Sequence, residues 1–559
     1  MKFRSNDILE KPDWSFNRSV FKSVGYSDDD LSRPVIGIAN SWNELVPGHA
    51  NLRQVAEHVR KGIHRAGGSV AEFGVIGACD GTAQGHAGMH YILPSRDLIA
   101  NDIEVMVEAH RLDGIVLLGS CDKIVPGMLM AAARLKIPAI FLPGGPMLGG
   151  VEFDGRKSDL TTMSEALGML KSDKIDETAY DHMEELCGPS CGSCAFYGTA
   201  NTMCCLAEAL GMSVPGGALV PAVYADRLRY AEETGKTIVN QVYNQITADK
   251  IITEQSLENA IRVLMATGGS TNAVLHLSAI AAEVDITAEI MMDAYHRLSE
   301  STPQVAKVNP ASKYNMEDFY KAGGIPKVMQ EIHSLLHLDS ITVTGKSVKE
   351  NLQSYKFKYP FDTNVIRSFA DPFSNLKGLA ILRGNLAPDT AVTKPAAIDP
   401  QMHLFTGLAQ VFDSEELAEE AILGGKIKEG DVVVIRYEGP KGGPGMREMY
   451  KAMKYMYGMG LAKKTALITD GRFSGTNNGC FVGHISPEAA EGGPLAIVAN
   501  GDKITIDIPN GNLHLHVSEE EIQDRLKTWQ RPKPKFTKGY LAIYSKLASS
   551  ADKGAVIKI

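Results

Sequence analysis

Where the apolar run "GIVLLG" ends, the chain reads "SCDK", so Cys121, Asp122 and Lys123 follow one another directly after an expected buried strand. A second apolar run, "FGVIGA", ends in the same pair, Cys79 and Asp80. A thiolate is a soft ligand and a carboxylate a hard one, so a Cys-Asp pair can serve a soft-metal centre and an oxygen-seeking cation side by side. Lys123 has two readings. It is a counter-charge in an ion pair, or, because an ammonium repels a divalent cation, a carbamate that offers that cation another oxygen. Five of the 8 cysteines crowd into one window, Cys187, Cys191, Cys194, Cys204 and Cys205. Within it "CGPSCGSC" has the spacing C-x3-C-x2-C ahead of a helix-like segment, which suits zinc or an iron–sulfur cluster; the plain alternative is three ordinary buried thiols.

These residues need elements to position them. Segments such as "PVIGIAN", "SVAEFGVIG", "GIVLLG" and "PAIFLPGG" alternate with helical patterns such as "NLRQVAEHVRKGIHRAGG" and "GMLMAAARL". That βα rhythm predicts a mostly parallel sheet covered by helices, with ligands gathered beyond the carboxyl ends of its strands. A mainly helical addition follows from about 193 to 336. Periodicity then fades through "SYKFKYPFDTNVIRSFADPFSNLKG", and short Gly- and Pro-broken strands take over, predicting a β-barrel-like C-terminal domain. The expected division is an α/β domain over 1–365 and a barrel-like domain over 366–559.

At 559 residues the chain is long enough for several cores, and no apolar run reaches the roughly 18 residues of a membrane span. The formal net charge of -9 argues against nucleic-acid and anionic-membrane partners. The N-terminus lacks an apolar targeting core, and thiols this clustered suit metal binding better than disulfides, which together predict a cytoplasmic protein.

Longer motifs carry a family resemblance. "CDKIVPGMLMAAARL", "EALGMSVPG", "ATGGSTNAVLHL", "RYEGPKGGPGMREM", "TDGRFSG", "GHISPEAAEGGP" and the ending "GYLAIYSKLASSADKGAV" resemble the dihydroxy-acid dehydratase and phosphogluconate dehydratase family, nearly end to end from Arg33. The resemblance implies a homodimer, or a higher homo-oligomer, with an active site between an α/β domain and a β-barrel domain. It also implies a cysteine-held iron–sulfur cluster, [2Fe-2S] or [4Fe-4S], next to Mg²⁺.

Carried over by position, Cys121 and Cys194 match cluster ligands. Asp80, Asp122, Lys123 as a carbamate and Glu448 match Mg²⁺ ligands, and Ser474 matches the catalytic base. Where many dihydroxy-acid dehydratases read Pro-Cys-Asn, this chain has Pro47, Gly48 and His49, so the third cluster ligand is open among Cys79, Cys191 and His49. The implied reaction takes a proton from C2 and hydroxide from C3 of a 2,3-dihydroxy acid to leave a 2-keto acid. Mg²⁺ would stabilise the developing enolate, an open iron would act as Lewis acid, and nearby cations would make a serine alkoxide accessible.

Weaker markers surround this set. Gly269, Ser270 and Thr271 could form an anion-binding loop at a helix start or an ordinary helix cap. Arg472 and Thr476, on either side of Ser474, could meet an anionic substrate. His276 reads as a packed core histidine, and His86 and His484 stay open. The segment "GPKGGPG" is a closing loop or a turn that positions Glu448.

For the substrate, the C-terminal third resembles the branched-chain dihydroxy-acid branch, whereas "CAFYGTANT" and "CDGTAQGH" resemble the branch acting on sugar acids and 6-phosphogluconate. Two other classes compete: an iron–sulfur redox or sensor protein, and a zinc-stabilised binding protein. Neither explains oxygen ligands on separate segments.

Overall fold

The computed structural model describes residues 2–171, 173–375, 377–475 and 479–558. The chain forms two compact units, one from residues 1–79, 98–263 and 312–369 and the other from 80–97, 264–311 and 370–559.

The first unit is built on four parallel strands, β1 (Val35–Asn40), β2 (Ser69–Gly74), β3 (Gly114–Leu118) and β4 (Ala139–Leu142), in the order β2-β1-β3-β4. β1, β3 and β4 are buried along their whole length, as expected of parallel strands covered on both faces. β2, at the sheet edge, is buried only at its first two positions and then alternates half-buried and exposed ones. The helix Ile124–Leu135 after β3 is apolar all round and therefore buried, with residues 124–133 out of solvent. Helices Leu52–Arg65 and Ala225–Asn244 cross at Gly62 and Gly235. A Cβ on Gly62 would stand 2.0 Å from the Glu232 carbonyl oxygen, and one on Gly235 2.2 Å from that of Val59, so only glycine allows the approach. A small hairpin, β5 (Glu152–Phe153) and β6 (Arg156–Lys157), adds to this unit.

The second unit carries a closed barrel. Its strands are β7 (Ala380–Gly384), β8 (Ala387–Thr393), β9 (Leu404–Phe412), β10 (Asp431–Ile435), β11 (Ala466–Thr469), β12 (Cys480–Ser486), β13 (Lys503–Asp507) and β14 (Asn512–Leu515). They close in the order β10-β11-β12-β8-β7-β14-β13-β9. The two-residue period of a strand sorts their side chains. Val432 and Val434 of β10 join Ile468, Val482, Ile504 and Leu513 in one core cluster. Val433 and Ile435 join a second, with Ile422, Met453, Phe473 and Phe481. The sheet-and-barrel architecture is the one the βα rhythm and the broken C-terminal strands predict. No helix among the described residues is long and apolar enough to cross a membrane.

Candidate active site

In the first unit, β2 and β3 lie on either side of β1, so the loops leaving them run out past the same carboxyl edge. They bring the Sγ atoms of Cys79 and Cys121 within 4.8 Å of each other. Next to Cys121, the fully buried Lys123 ammonium donates to Asp122 Oδ2 at 3.0 Å. A charge buried this deeply needs such a partner.

His49 is also fully buried, in the turn Pro47–His49. Its Nδ1–H donates to the Ser41 carbonyl at 2.8 Å and its Nε2 accepts the Ser120 amide at 3.1 Å. Both nitrogens are engaged in one neutral tautomer, and burial pushes the ring down to about 4. His49 therefore ties the end of β1 to the loop that carries Cys121.

The spacing C-x3-C-x2-C does not make a three-thiol cage among the described residues. Cys187 ends the helix Glu177–Leu186 and turns its thiol into a small apolar cluster with Ala166 and Met183; burial pushes that thiol up. The backbone around Cys191 is pinned to the Pro47 turn, the Gly192 amide donating to the Pro47 carbonyl at 2.9 Å. The Cys194 carbonyl accepts from Asn201 Nδ2 at 2.6 Å, and its neighbour Ser193 bridges Pro146. Three cysteines that are close in sequence thus belong to three local arrangements.

In the second unit, Asp80 opens the short helix Asp80–Ala83, and one of its carboxylate oxygens lies within 4.8 Å of one on Glu448. Glu448 is buried and pairs with the fully buried Arg472 guanidinium. It also accepts from Gln84 Nε2 at 2.6 Å and from Asn272 Nδ2 at 3.3 Å. Arg472 Nε donates to the Met446 carbonyl at 2.7 Å, and a backbone bridge joins Glu448 to Arg472. Asn272 Nδ2 also lies 3.4 Å from the Phe473 carbonyl, one residue before Ser474. Asn272 and Arg472 therefore hold both the carboxylate and the segment that ends in the serine.

Gln84 and Asn272 escape the sequence reading, although signals exist for both. Gln84 lies four residues beyond Asp80, one helical turn on, and Asn272 directly follows the Ser270–Thr271 pair. Ser270 and Thr271 are buried, and the Ser270 hydroxyl accepts the Asn272 amide at 3.3 Å; Thr271, the N-cap of helix Asn272–Ala282, makes no side-chain capping bond. His276 is a packed core residue, its Nδ1 3.3 Å from Arg96 Nη1. His86 accepts the Gly88 amide and caps a local turn. His484 is buried and its backbone amide donates to the Gly471 carbonyl at 2.8 Å. Thr476 lies outside the described residues.

Comparison with known proteins places the chain in a family. Family models for the N-terminal and C-terminal parts of dihydroxy-acid/6-phosphogluconate dehydratases match residues 33–351 and 364–555. A protein of Acetivibrio thermocellus named dihydroxy-acid dehydratase is 52% identical over 557 residues, covering 99% of this chain and 100% of the relative. Proteins of the same name from Caldicellulosiruptor saccharolyticus and Pyrococcus furiosus are 52% and 50% identical, each over 99% of this chain and 100% of the relative. Matched across almost its whole length, the chain belongs to the dihydroxy-acid/6-phosphogluconate dehydratase family of hydro-lyases.

Proposed function

We propose that this chain removes water from a 2,3-dihydroxy carboxylic acid to give a 2-keto acid, with a branched-chain dihydroxy acid as its substrate. One observation carries the reading: a thiol pair, Cys79 with Cys121, and a carboxylate pair, Asp80 with Glu448, meet at the single peptide bond between Cys79 and Asp80. Consecutive Cα atoms are about 3.8 Å apart, so soft and hard donors can act on one small molecule. The donor chemistry fits the family's two inorganic groups. Cys79, Cys121 and Cys194 would hold an iron–sulfur cluster, and Asp80, Asp122, Glu448 and a carbamylated Lys123 would hold Mg²⁺. Cys79 is preferred as third thiolate because its sulfur neighbours that of Cys121, while both nitrogens of His49 are engaged. When bound, these groups supply Lewis acidity toward the substrate's oxygens.

The chain's own groups handle the proton and the anion. Ser474 Oγ takes the C2 proton, favoured by the buried Arg472 cation two residues earlier, which makes a negative oxygen there less costly. The C3 hydroxyl leaves as water, taking up the proton that Ser474 removed from C2, and the enol tautomerises to the keto acid. No electrons are gained or lost. Gln84, Asn272 and Arg472 keep the Glu448 carboxylate oriented throughout. The working form is read as a cytoplasmic homodimer, the assembly that the family resemblance implies.

The test is anaerobic purification and keto-acid detection with 2,3-dihydroxyisovalerate, gluconate and 6-phosphogluconate side by side. Dihydroxyisovalerate is expected to turn over fastest. Ser474→Ala should slow it by at least ~10² to 10⁴, the usual worth of a general base. Absence of keto acid from all three substrates overturns the proposal, and faster turnover of either sugar acid reassigns the substrate.

A further inference from the structure

Glu448 sits at the end of a segment that composition alone cannot hold still. Residues 437–449 read "YEGPKGGPGMREM", with Gly439, Gly442, Gly443 and Gly445 in one short span, and glycine has the most conformational freedom to lose. Yet the strap is largely buried, and side chains from elsewhere in the second unit pin it. His90 Nδ1–H donates to the Pro444 carbonyl and Ser545 Oγ–H to the Lys441 carbonyl, both at 2.8 Å. Arg447, one residue before Glu448, pairs with the fully buried Glu438 and with Glu416, each at 2.7 Å.

Two further buried carboxylates have no role in the chemistry described so far. Glu488 accepts the Lys441 amide on Oε1 at 2.9 Å and the Gly442 amide on Oε2 at 2.8 Å. Asp470 accepts the Glu438 amide on Oδ1 at 2.9 Å, and the Tyr437 and Ala489 amides on Oδ2 at 3.1 and 2.9 Å. The hydrogen-bond partners of both are backbone amides, four of the five on the strap. A Cβ on Gly439 would stand 2.5 Å from Glu488 Oε2, so glycine at that position leaves the space the carboxylate fills. Burying such an acid costs free energy that its hydrogen bonds must offset, and here four strap amides supply most of them.

We propose that Glu488 and Asp470 are positioning residues, which clamp the strap 437–449 through its amides and so set where the Glu448 carboxylate stands. The inference rests on the reading of Glu448 as a cation ligand. It adds that the ligand's position is bought from outside its own segment. Residues that orient a metal's ligands from outside typically change its affinity by about 10- to 100-fold.

The test uses the full-length, cluster-loaded enzyme prepared anaerobically, with Mn²⁺ as a paramagnetic probe of the cation site and hydrogen exchange as a probe of the strap. Glu488→Gln and Asp470→Asn should each speed exchange of strap amides about tenfold or more and weaken Mn²⁺ binding by about 10- to 100-fold. Excess Mg²⁺ should restore most of the turnover. Gly439→Ala, which displaces the Glu488 carboxylate without changing a charge, should reproduce both effects and decides the matter if Glu488→Gln fails to fold. Faster exchange with unchanged Mn²⁺ affinity, or unchanged exchange, overturns the proposal. Glu448→Gln tests the underlying reading: if it leaves Mn²⁺ affinity at the wild-type value, Glu448 is no cation ligand and both ideas fail. If it abolishes binding while Glu488→Gln does not weaken it, only the clamp fails.

Discussion

Cys121 stands three residues past β3, a strand buried at all five positions and hydrogen-bonded to neighbours on both sides. Glu448 stands on no regular element; it ends a glycine-rich strap held by side chains contributed from 47 or fewer residues away in some cases and from more than 350 in others. The thiol side of the chemistry thus borrows its rigidity from a backbone ladder, and the carboxylate side from buried polar pairs. The contrast teaches that two clusters of ligand-type side chains in one chain can be held by different physics and so should fail in different ways. Removing a thiol should cost the inorganic group and little else, whereas removing the carboxylate should also loosen the fold around it.

The largest expected effect lies on the thiol side. Cys79→Ala and Cys121→Ala should lose the iron–sulfur absorption and all turnover after anaerobic reconstitution, while Cys187→Ala and Cys191→Ala should keep both. Iron and sulfide analysis with the visible spectrum makes the measurement. If Cys187→Ala or Cys191→Ala emptied the cluster as completely, the split between local thiols and site thiols would be wrong.

On the carboxylate side, Glu448→Ala should cost about 3–5 kcal/mol besides activity, because it strands the fully buried Arg472 guanidinium without its partner. Calorimetry should show a lowered transition. The double variant Glu448→Leu with Arg472→Met should recover much of that stability and none of the activity, since a buried pair is replaceable by apolar groups but a ligand is not. Equal stability of the single variant and the wild type would remove the distinction drawn here.

The same contrast governs how much the sequence discloses. A buried parallel strand is written as an unbroken apolar run, and its loop chemistry follows at once, so "GIVLLGSCD" and "FGVIGACD" announce Cys121 and Cys79 directly. The barrel announces itself by two-residue alternation broken at turns. Glu448 is visible only through family motifs, because nothing local marks it. Its partners Gln84 and Asn272 lie 364 and 176 residues away, beyond any periodicity. Composition even misleads at "GPKGGPG", which looks mobile but is pinned by Glu488, His90 and Ser545. The run "CGPSCGSC" misleads in the opposite sense. Spacing says how near three thiols can come and nothing of where each points, and Cys187 points into its own helix-end cluster.

The smallest effect separates the two sides by pH. Burial holds His49 near 4 against an ordinary 6.5, so the fold favours the neutral ring. Its contribution is fully present above pH 6.5 and is lost as pH falls toward 4, a difference on the order of 3 kcal/mol. Burial and the neighbouring Asp470 push Glu488 up to about 8, and burial pushes Asp470 up to about 6. For these acids the fold favours the protonated form, so stability is greatest below their ordinary values and falls as pH rises from there, the loss complete by about 6 for Asp470 and about 8 for Glu488. Segment-resolved hydrogen exchange, corrected for its intrinsic pH dependence, should therefore show β1 and the loop after β3 opening on the acid side. The strap 437–449 should loosen in the opposite direction, as pH rises from the ordinary carboxylate range toward 8. His49→Gln should flatten the first limb and Glu488→Gln the second, each leaving the other limb in place. If both segments loosened in the same direction of pH, the two supports would not be physically different after all.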